Sequence, residues 1–467
     1  MSQPKNETIV LVLALLLTLG LVGVGIWWFS QLYKGDNTTG SNQNEAQKPT
    51  NQSISERISL GDRSLFPGAN PNKQRGIEAN FQGDYTQAIS NLQLSLQNQK
   101  NDPEALIYLN NARIGTKKSY TIAASVPISS DPNGALEILR GIAQAQAQID
   151  SAGGIKGVKL KVAIANDDNN PQVAEQVASA LIKDPKILGV VGPYASDVTL
   201  AAGSVYNSGQ LVAISPISSS VKLSDFSRYV LRTVPSDYVA ARALANYMTD
   251  KLQKRNAAVF FNSQSGYSQS LKSEFVTAVA LGGGQVESEF DLSDPGFSAA
   301  RSIKQVTERG TEVLMLATNT GELDKALQVI QVNNKRLPLL AGDDVYAPKT
   351  LEVGGQAAAG MVVAVPWHIG AHPNSEFVRQ SQQLWVGDVN WRTALAYDAT
   401  VALIAAIERS PTRAGVQQAL LSPEFTVSGA SGNIRFLPSG DRNAPVQLVQ
   451  VISGKRSGTG YDFVPLP

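Results

Sequence analysis

From Ser119 to about residue 340, short apolar runs alternate with amphipathic segments, and this alternation restricts the possible folds more than any other feature. The apolar run ILGVV precedes the helical pattern SDVTLAAGSVYNSG, which leads into a second apolar run, LVAIS. Repeated strand–helix–strand order predicts a parallel, doubly wound sheet with helices on both faces. Roughly 240 residues of this pattern are too many for one such sheet, so we expect two α/β lobes.

Composition excludes several classes of function. The 467 residues carry a net charge of +1, which gives no sign of a nucleic-acid-binding surface. Cysteine is absent and there are only two histidines, so thiol catalysis, disulfides and histidine-rich metal clusters are excluded. The G-x-S-x-G, P-loop and H-E-x-x-H motifs are also absent from the sequence. We therefore expect a protein that is not an enzyme, holds no cofactor or metal and binds no nucleic acid.

The N-terminal region has the character of a membrane anchor. Residues 8–30 contain no charged residue, and this length suffices to cross the hydrocarbon core of a bilayer as a helix. The run ends at Trp27-Trp28-Phe29, aromatic residues typical of a membrane interface. We predict an uncleaved signal anchor and transmembrane helix over residues 1–34. A flexible linker rich in Asn, Gln, Ser and Thr is predicted over residues 35–70, with a short ordered arm as the alternative.

Residues 71–116 are predicted to form a short helical hairpin before the α/β body. Apolar residues recur there at helical spacing, Gly83-Asp84 interrupts the pattern, and Pro103 suits the first turn of a following helix. The stretch FQGDYTQAI resembles one tetratricopeptide repeat, whereas a stable solenoid of such repeats needs about three. We therefore expect this segment to pack on the neighbouring body, and pairing with another protein is the alternative.

Small hydroxyl residues follow two of the predicted strands. Ser196 lies in the loop after ILGVV, and Ser218, Ser219 and Ser220 lie in the loop after LVAIS. Ligands in open α/β sheets bind beyond the carboxyl ends of the strands, which is where these loops begin. Backbone N–H groups at the start of the helix near Asp197 would favour a carboxylate. Simple N-capping of that helix by Ser196 or Asp197 is an equally good interpretation.

Four stretches of the body carry a resemblance to one known family: AQAQIDSAGGIKGVKLKVAIANDDNNPQVAEQVASALIKD, VVGPYASDVTLAAGSVYNSGQLVAISP, YVLRTVPSDYVAA and GMVVAVP. They resemble the type I periplasmic ligand-binding proteins, and especially the leucine/isoleucine/valine-binding proteins of ATP-driven importers. The likeness extends from about Tyr120 to about Asp462. It implies two lobes joined by three crossing segments that close on a ligand.

By this resemblance, the ligand-binding domain would occupy residues 117–467. The first lobe would comprise about 119–236 and 366–420, and the second about 237–365 with the C-terminal tail.

The resemblance also implies a set of ligand-binding residues. A ligand carboxylate would be held by three residues after the third and fourth strands: Ser196, Ile217 and Ser219. A ligand ammonium group would be held by residues near the hinge and in the second lobe, at Ser236 or Asp237 and at Asp343 or Asp344.

Two further positions concern the ligand's side chain. Tyr267 matches an aromatic residue that covers the ligand, and Asn319 stands where an aromatic residue is common in the family. A surface tyrosine is the alternative for Tyr267, and a solvated turn pair is the alternative for Asp343-Asp344. The first loop, PISSDPNGALEI, is shorter than the family's usual aromatic- and Gly-containing segment. With Asn319, this departure makes a polar amino acid or another small anionic metabolite as suitable as a branched aliphatic amino acid.

The combined prediction is a membrane-anchored solute-binding protein whose body lies on the extracytoplasmic side. It would capture an amino acid or similar small carboxylate between its lobes and deliver it to an ABC-type importer. The alternatives are a receptor subunit that signals closure to a partner, and a non-binding scaffold. Its partners would be the small-molecule ligand, the membrane through residues 8–30, and a permease or sensory protein.

Overall fold

Two β-sheets covered by helices divide the body of the chain into two lobes. The computed structural model describes residues 53–466. The predicted signal anchor, including the apolar run of residues 8–30, lies outside the described residues. Within residues 53–466, no helix combines the length and the hydropathy that a membrane span requires.

Lobe one is built on a six-stranded sheet. Its strands are β1 Ile58–Ser59, β2 Ser119–Val126, β3 Lys159–Asn166, β4 Ile187–Val191, β5 Ala213–Ser215 and β6 Val230–Arg232. They lie in the order β1-β3-β2-β4-β5-β6, with every pairing parallel except that of β1 with β3. All five residues of β4 are buried, as expected for an apolar strand with helices on both faces. The sequence prediction of a doubly wound parallel sheet is confirmed.

Lobe two is built on a seven-stranded sheet. Its strands are β7 Asn256–Phe261, β8 Gln285–Asp291, β9 Val313–Ala317, β10 Leu339–Ala341, β11 Val362–Val365, β14 Gln447–Ser453 and β15 Tyr461–Pro465, and a separate hairpin consists of β12 Val427–Gly429 and β13 Gly432–Ile434. The order is β15-β14-β11-β10-β9-β7-β8. The strands β7 to β11 pair in parallel, whereas β14 and β15 join antiparallel. The C-terminal tail therefore completes the sheet of lobe two.

The described residues contain fourteen α-helices. They are α1 Pro71–Phe81, α2 Tyr85–Asn98, α3 Pro103–Ile114, α4 Pro132–Ser151, α5 Pro171–Lys183, α6 Ser196–Ser208, α7 Asp237–Asn246, α8 Gly266–Leu281, α9 Ala299–Glu308, α10 Leu323–Asn333, α11 Pro348–Ala358, α12 Glu376–Trp385, α13 Trp391–Arg409 and α14 Arg413–Leu420. Most begin after an Asn, Asp, Ser or Thr whose side chain accepts a first-turn N–H. Asn170 caps α5 in this way, with Pro171 at the first position, as the order Asn-Pro ahead of the amphipathic run QVAEQVASALIKD predicts.

The chain passes between the two sheets three times. The crossings lie between β6 and α7, between β11 and α12, and between β13 and β14. After the second crossing, α12 and α13 return to lobe one. Thr393 of α13 donates to the carbonyl of Glu137 in α4 at 2.9 Å, and Gln144 of α4 donates to the carbonyl of Phe377 in α12 at 3.1 Å. These crossings hold the lobes side by side, with the loops at the strand ends facing each other.

Residues 53–70 correct the prediction of a flexible linker over 35–70, because the described part of that segment is attached to lobe one. A 3-10 turn at Ile54–Arg57 leads into β1, which pairs with Ile164 and Ala165 of β3. Buried Arg57 lies 3.1 Å from the carboxylate of Asp168. Polar composition is a poor guide here, since the edge of any sheet offers backbone hydrogen bonds that need no apolar side chains.

The predicted helical hairpin over 71–116 is instead three helices, α1 to α3. Gly83, at φ +78°, separates the first two, and residues 99–102 separate the second from the third. As expected, the segment packs on the body: Tyr108 is fully buried in the core of lobe one. The Asn111 side chain hydrogen-bonds both the N–H and the C=O of Val162, at 3.1 and 2.8 Å. It therefore substitutes for a strand neighbour along β3. The likeness to a tetratricopeptide repeat stays a prediction.

Candidate functional site

A cavity of about 310 Å³ lies between the lobes, at the carboxyl ends of strands from both sheets. Lobe one contributes loops that follow β2 to β5, and lobe two contributes loops that follow β7, β9 and β10. Most of the lining residues have polar side chains; the lining consists of Ser130, Asp131, Asn169, Tyr194, Ala195, Ser196, Ile217, Ser218, Ser265, Tyr267, Asn319, Thr320, Gly321, Asp343, Asp344 and Trp391. This is the position in which open parallel sheets hold small ligands.

Helix α6 begins at the wall of this cavity without a side-chain cap. Its N-cap residue is Ala195, which has no side-chain acceptor, and Ser196 is the first helical residue. The interpretation of Ser196 or Asp197 as the N-cap is therefore wrong. First-turn N–H groups have no acceptor within a helix, so they and the helix dipole favour an anion. The buried Ser196 hydroxyl accepts the N–H of Ser220 at 3.3 Å, which leaves its own proton for a ligand oxygen.

In lobe two, Asp343 lines the cavity and forms no ion pair within residues 53–466. One of its oxygens, Oδ1, accepts the Tyr267 hydroxyl at 2.5 Å. Burial and the neighbouring Asp344 carboxylate raise the pKa of Asp343 to about 7. The alternative of a solvated turn pair is wrong, because Asp343 is 9% exposed and the Asp344 side chain 12%. A buried carboxylate with this environment would be stabilised by a bound cation.

Asp344 already has a cationic partner in the protein. Arg392 Nη2 lies 2.8 Å from Asp344 Oδ1, and Arg392 Nε donates to the Tyr194 hydroxyl at 3.1 Å. The other oxygen of Asp344 accepts the N–H of Thr320 at 3.1 Å. Because Arg392 is on α13 in lobe one and Asp344 follows β10 in lobe two, this pair joins the lobes. Sequence reasoning missed Arg392, Tyr194 and Trp391, although a charged residue opening the apolar helix NWRTALAY was an available signal.

Five of the predicted site residues line the cavity: Ser196, Ile217, Tyr267, Asn319 and Asp343. Two more, Ser219 and Asp237, line an adjoining cavity of about 10 Å³ that also borders Tyr267 and Asp343. Burial raises the pKa of Asp237 to about 6. The alternative of a surface position for Tyr267 is wrong, since its ring borders both cavities and its hydroxyl bonds Asp343.

The structure does not support a ligand contact for the eighth residue, Ser236. Its side chain caps α7 by accepting the N–H of Tyr238 at 3.3 Å, and it borders neither of these two cavities. A Ser immediately before a helix is most often a cap. The neighbouring Asp237 is the one of this pair whose side chain turns toward the space between the lobes.

Hydrogen bonds across the cavity mouth join the two lobes directly. The Asp197 carboxylate of α6 accepts the N–H of Gly266, the first residue of α8, at 2.7 Å. Close by, the Ser270 hydroxyl accepts the N–H of Val221 at 3.0 Å. The lobes therefore adopt a closed arrangement. Asp197 does not cap its own helix but interacts with the N-terminus of a helix on the opposite lobe.

A larger cavity, of about 640 Å³, lies against the three crossing segments rather than at the strand ends. It is bordered by Pro235, Pro366 and Pro445 among other residues. Volume alone would favour this cavity as the ligand site. The smaller one is the better candidate, because a helix N-terminus and an unpaired carboxylate face it from opposite lobes.

Comparison with known proteins gives an independent result. The profile of one protein family, described as periplasmic binding protein, matches residues 119–456. The Leu/Ile/Val-binding protein homolog 3 of Brucella melitensis is 23% identical over 316 residues, 66% of this chain and 84% of that protein. An amino acid binding protein of Pseudomonas aeruginosa is 31% identical over 133 residues, which cover 28% of this chain and 35% of that protein.

The fold also matches solved structures. An ABC transporter substrate-binding protein from Desulfitobacterium hafniense, in complex with Leu, superposes with a TM-score of 0.63 at 23% sequence identity. The match covers 74% of this chain and all of that one. The relatives named here are binding proteins, and the D. hafniense protein shares the fold of this chain.

Proposed function

Since this chain belongs to the periplasmic binding protein family, we propose that its two lobes capture an amino acid or similar small carboxylate and deliver it to an ABC-type importer. The proposal concerns the cavity of about 310 Å³ between the lobes. Relatives whose names state leucine or branched-chain amino acids as ligands support the ligand class, and the description of the D. hafniense protein as an ABC transporter substrate-binding protein supports an ABC-type transporter as the partner.

The observation that carries the proposal is the separation of two opposite electrostatic features in one closed cavity. On lobe one, the start of α6 at Ser196 offers N–H groups and a hydroxyl, which suit a carboxylate. On lobe two, Asp343 is a buried carboxylate without a cationic partner among the described residues, which suits an ammonium group. An α-amino acid carries both groups on one carbon atom, so it would satisfy both sides and hold the lobes together.

We assign the predicted residues accordingly. The hydroxyl of Ser196 and the loop from Ile217 to Ser219 would hold the ligand carboxylate, and Asp343 would hold the ammonium group. Tyr267 would cover the ligand and keep Asp343 oriented through its 2.5 Å hydrogen bond. Asn319, which also lines the cavity, would contact the ligand side chain.

Anchoring of the body to the membrane is part of the proposal. The apolar run of residues 8–30 has the length of a bilayer-spanning helix, and the importer has to be reached from the extracytoplasmic side. Alkaline extraction of cell membranes tests the anchor, since an integral protein stays in the pellet. Protease added to intact spheroplasts tests the orientation, because a body on the outer side is cleaved.

Isothermal titration calorimetry of the full chain in detergent tests the binding function directly. A panel of the common amino acids and small carboxylates should contain at least one ligand that binds in the micromolar range or tighter. Ser196→Ala and Asp343→Asn should each weaken that binding, and a ligand specific to the folded state should raise the unfolding midpoint. The proposal fails if no amino acid or small carboxylate binds, or if binding is unaffected by both substitutions.

A further inference from the structure

One wall of the cavity carries a cluster of polar groups beyond Asp343. These groups would remain available when the ligand ammonium group binds Asp343 and the ligand carboxylate binds Ser196. The cluster is formed by Asp131, Trp391 and the Arg392–Asp344 ion pair, with Tyr194 between them. These groups lie close to one another. A Cβ placed on Gly134 would lie within 2.9 Å of both Asp131 and Tyr194, and Arg392 bonds Tyr194 at 3.1 Å.

Trp391 provides an unused hydrogen-bond donor. Its side chain lines the cavity and is 1% exposed, and its indole N–H has no hydrogen-bond partner in the described part of the chain. The Arg392 guanidinium lies over the ring, with its Cζ 4.3 Å from the centroid, which fixes the orientation of the indole. A buried N–H without an acceptor has lost its hydrogen bond to water without replacement, so a ligand acceptor at this place would be favourable.

Asp131 provides an acceptor in the same wall. Its Oδ1 accepts the N–H of Gly134 at the start of α4, and the carboxylate forms no ion pair within residues 53–466. It lies close enough to Asp344 to raise the pKa of that group by charge repulsion, although burial is the larger cause. A group that donates a hydrogen bond to Asp131 would therefore be stabilised at this end of the cavity.

We propose that the ligand is an α-amino acid whose side chain ends in a carboxamide, with its C=O accepting from Trp391 Nε1 and its NH₂ donating to Asp131. This inference rests on the proposed function of the same cavity. A carboxamide supplies an acceptor and a donor on one planar group, which matches the two unused groups of the wall.

Other side chains match this wall less well. A branched aliphatic side chain would desolvate Trp391 and Asp131 without replacing their hydrogen bonds. A carboxylate side chain would face three acidic residues, Asp131, Asp343 and Asp344, with one guanidinium among them. A cationic side chain would suit Asp131, but it would leave the Trp391 N–H unpaired and lie near Arg392.

Titration calorimetry of the unmodified full chain with near-isosteric ligands tests the inference. Asparagine and leucine have closely similar shapes, as do glutamine and methionine, so each pair compares a carboxamide with an apolar group of the same size. We expect the better carboxamide ligand to bind at least tenfold more tightly than its apolar counterpart. Lysine and glutamate in the same panel test the two charged alternatives.

Trp391→Phe keeps an aromatic ring and removes the N–H. We expect it to weaken carboxamide binding about tenfold and to weaken the binding of alanine, which lacks the group, distinctly less. The matched control is Trp385→Phe, because Trp385 also has a buried, unpartnered indole N–H but lies on α12 away from this cavity. Circular-dichroism melting establishes whether both variants fold. If a variant does not fold, the comparison of ligands on the unsubstituted chain still tests the inference.

Each outcome separates this inference from the proposal on which it rests. Tighter binding of leucine, methionine, lysine or glutamate overturns the carboxamide assignment and leaves amino-acid capture intact. An equal loss of alanine and carboxamide binding in Trp391→Phe also overturns it, because the ring rather than the N–H would then matter. Binding of a small carboxylate but of no amino acid overturns only the carboxamide assignment, whereas absence of binding by every amino acid and every small carboxylate overturns the proposed function itself.

Discussion

Arg392 of lobe one and Asp344 of lobe two form an ion pair of 2.8 Å across the cavity between the lobes. Both side chains are largely buried, at 8% and 12% exposure. The pair neutralises one of two adjacent carboxylates and leaves Asp343 as the charge that a ligand can meet. It therefore links the closing of the lobes to the electrostatic character of the cavity.

Removal of this ion pair should weaken ligand binding. In Arg392→Gln the closed form loses an interlobe contact and Asp344 becomes a second uncompensated buried carboxylate. We expect about a ten- to hundred-fold loss of affinity, measured by titration calorimetry with the best ligand of the panel. Lys304→Gln is the control, because the Lys304–Glu308 pair is exposed and should contribute almost nothing. Unchanged affinity in Arg392→Gln would show that the pair has no role in closure.

The two adjacent acidic residues should respond oppositely to neutralisation. Asp343→Asn removes an unpaired buried carboxylate whose pKa is raised, so the ligand-free protein should unfold at a higher temperature at pH 8. The pKa of Asp344 is also raised by burial, but Asp344→Asn leaves the buried Arg392 without its partner; we expect this cost to be the larger one, so the midpoint should fall. Calorimetric melting of both variants checks this. Shifts of the same sign would contradict the different charge environments assigned to the two residues.

Ligand affinity should decrease as the pH falls below about 7. The raised pKa means that Asp343 holds a proton in the empty cavity under mildly acidic conditions, and an ammonium group requires the ionised form. Below that pKa each pH unit should cost up to about tenfold in affinity, with one proton released on binding. Titrations in buffers of different ionisation enthalpy measure that proton. The pH dependence between 5 and 8 should disappear in Asp343→Asn, and its persistence there would assign it to another group.

Closure at the cavity mouth should be sensitive to a single methyl group. A Cβ on Gly266 would lie 2.2 Å from Asp197 Oδ1, so Gly266→Ala should obstruct the contact that joins α6 to α8. We expect a faster dissociation rate, by about tenfold, with little change in association, measured by stopped-flow fluorescence. Gly387→Ala is the control, since the nearest atom to a Cβ there is 3.9 Å away. Equal rates in the two variants would place the mouth contact outside the closing step.

The helical segment before lobe one should be part of the cooperative unit. Asn111 makes four hydrogen bonds, to Leu60, Gln146 and both backbone groups of Val162, and all but the one to Leu60 are buried. Asn111→Ala leaves several of these groups without partners and should lower the free energy of unfolding by about 2–4 kcal/mol, measured by urea denaturation. Exposed Asn98, substituted in the same way, should have an effect within about 0.5 kcal/mol. A separate early transition for the helices would contradict their integration into lobe one.

Local patterns in the sequence were sufficient to predict the architecture and part of the site. Apolar runs and helical periods are local patterns, so the doubly wound lobes and the Asn170 cap followed from neighbouring residues. The same patterns located the loop of Ser196, and the family resemblance added Tyr267 and Asp343. Each of these residues borders the cavity.

Which of the buried carboxylates has a cationic partner depends on the tertiary structure alone. Arg392 is 48 residues from Asp344 and on the opposite lobe, so no local pattern distinguished Asp344 from Asp343. The ordered arm at β1 depended likewise on the free edge of β3 and on Asp168, 111 residues from Arg57. Burial and ion pairing depend on groups that meet only after folding, because the free energy of a buried charge is set by its spatial neighbours rather than by those along the chain.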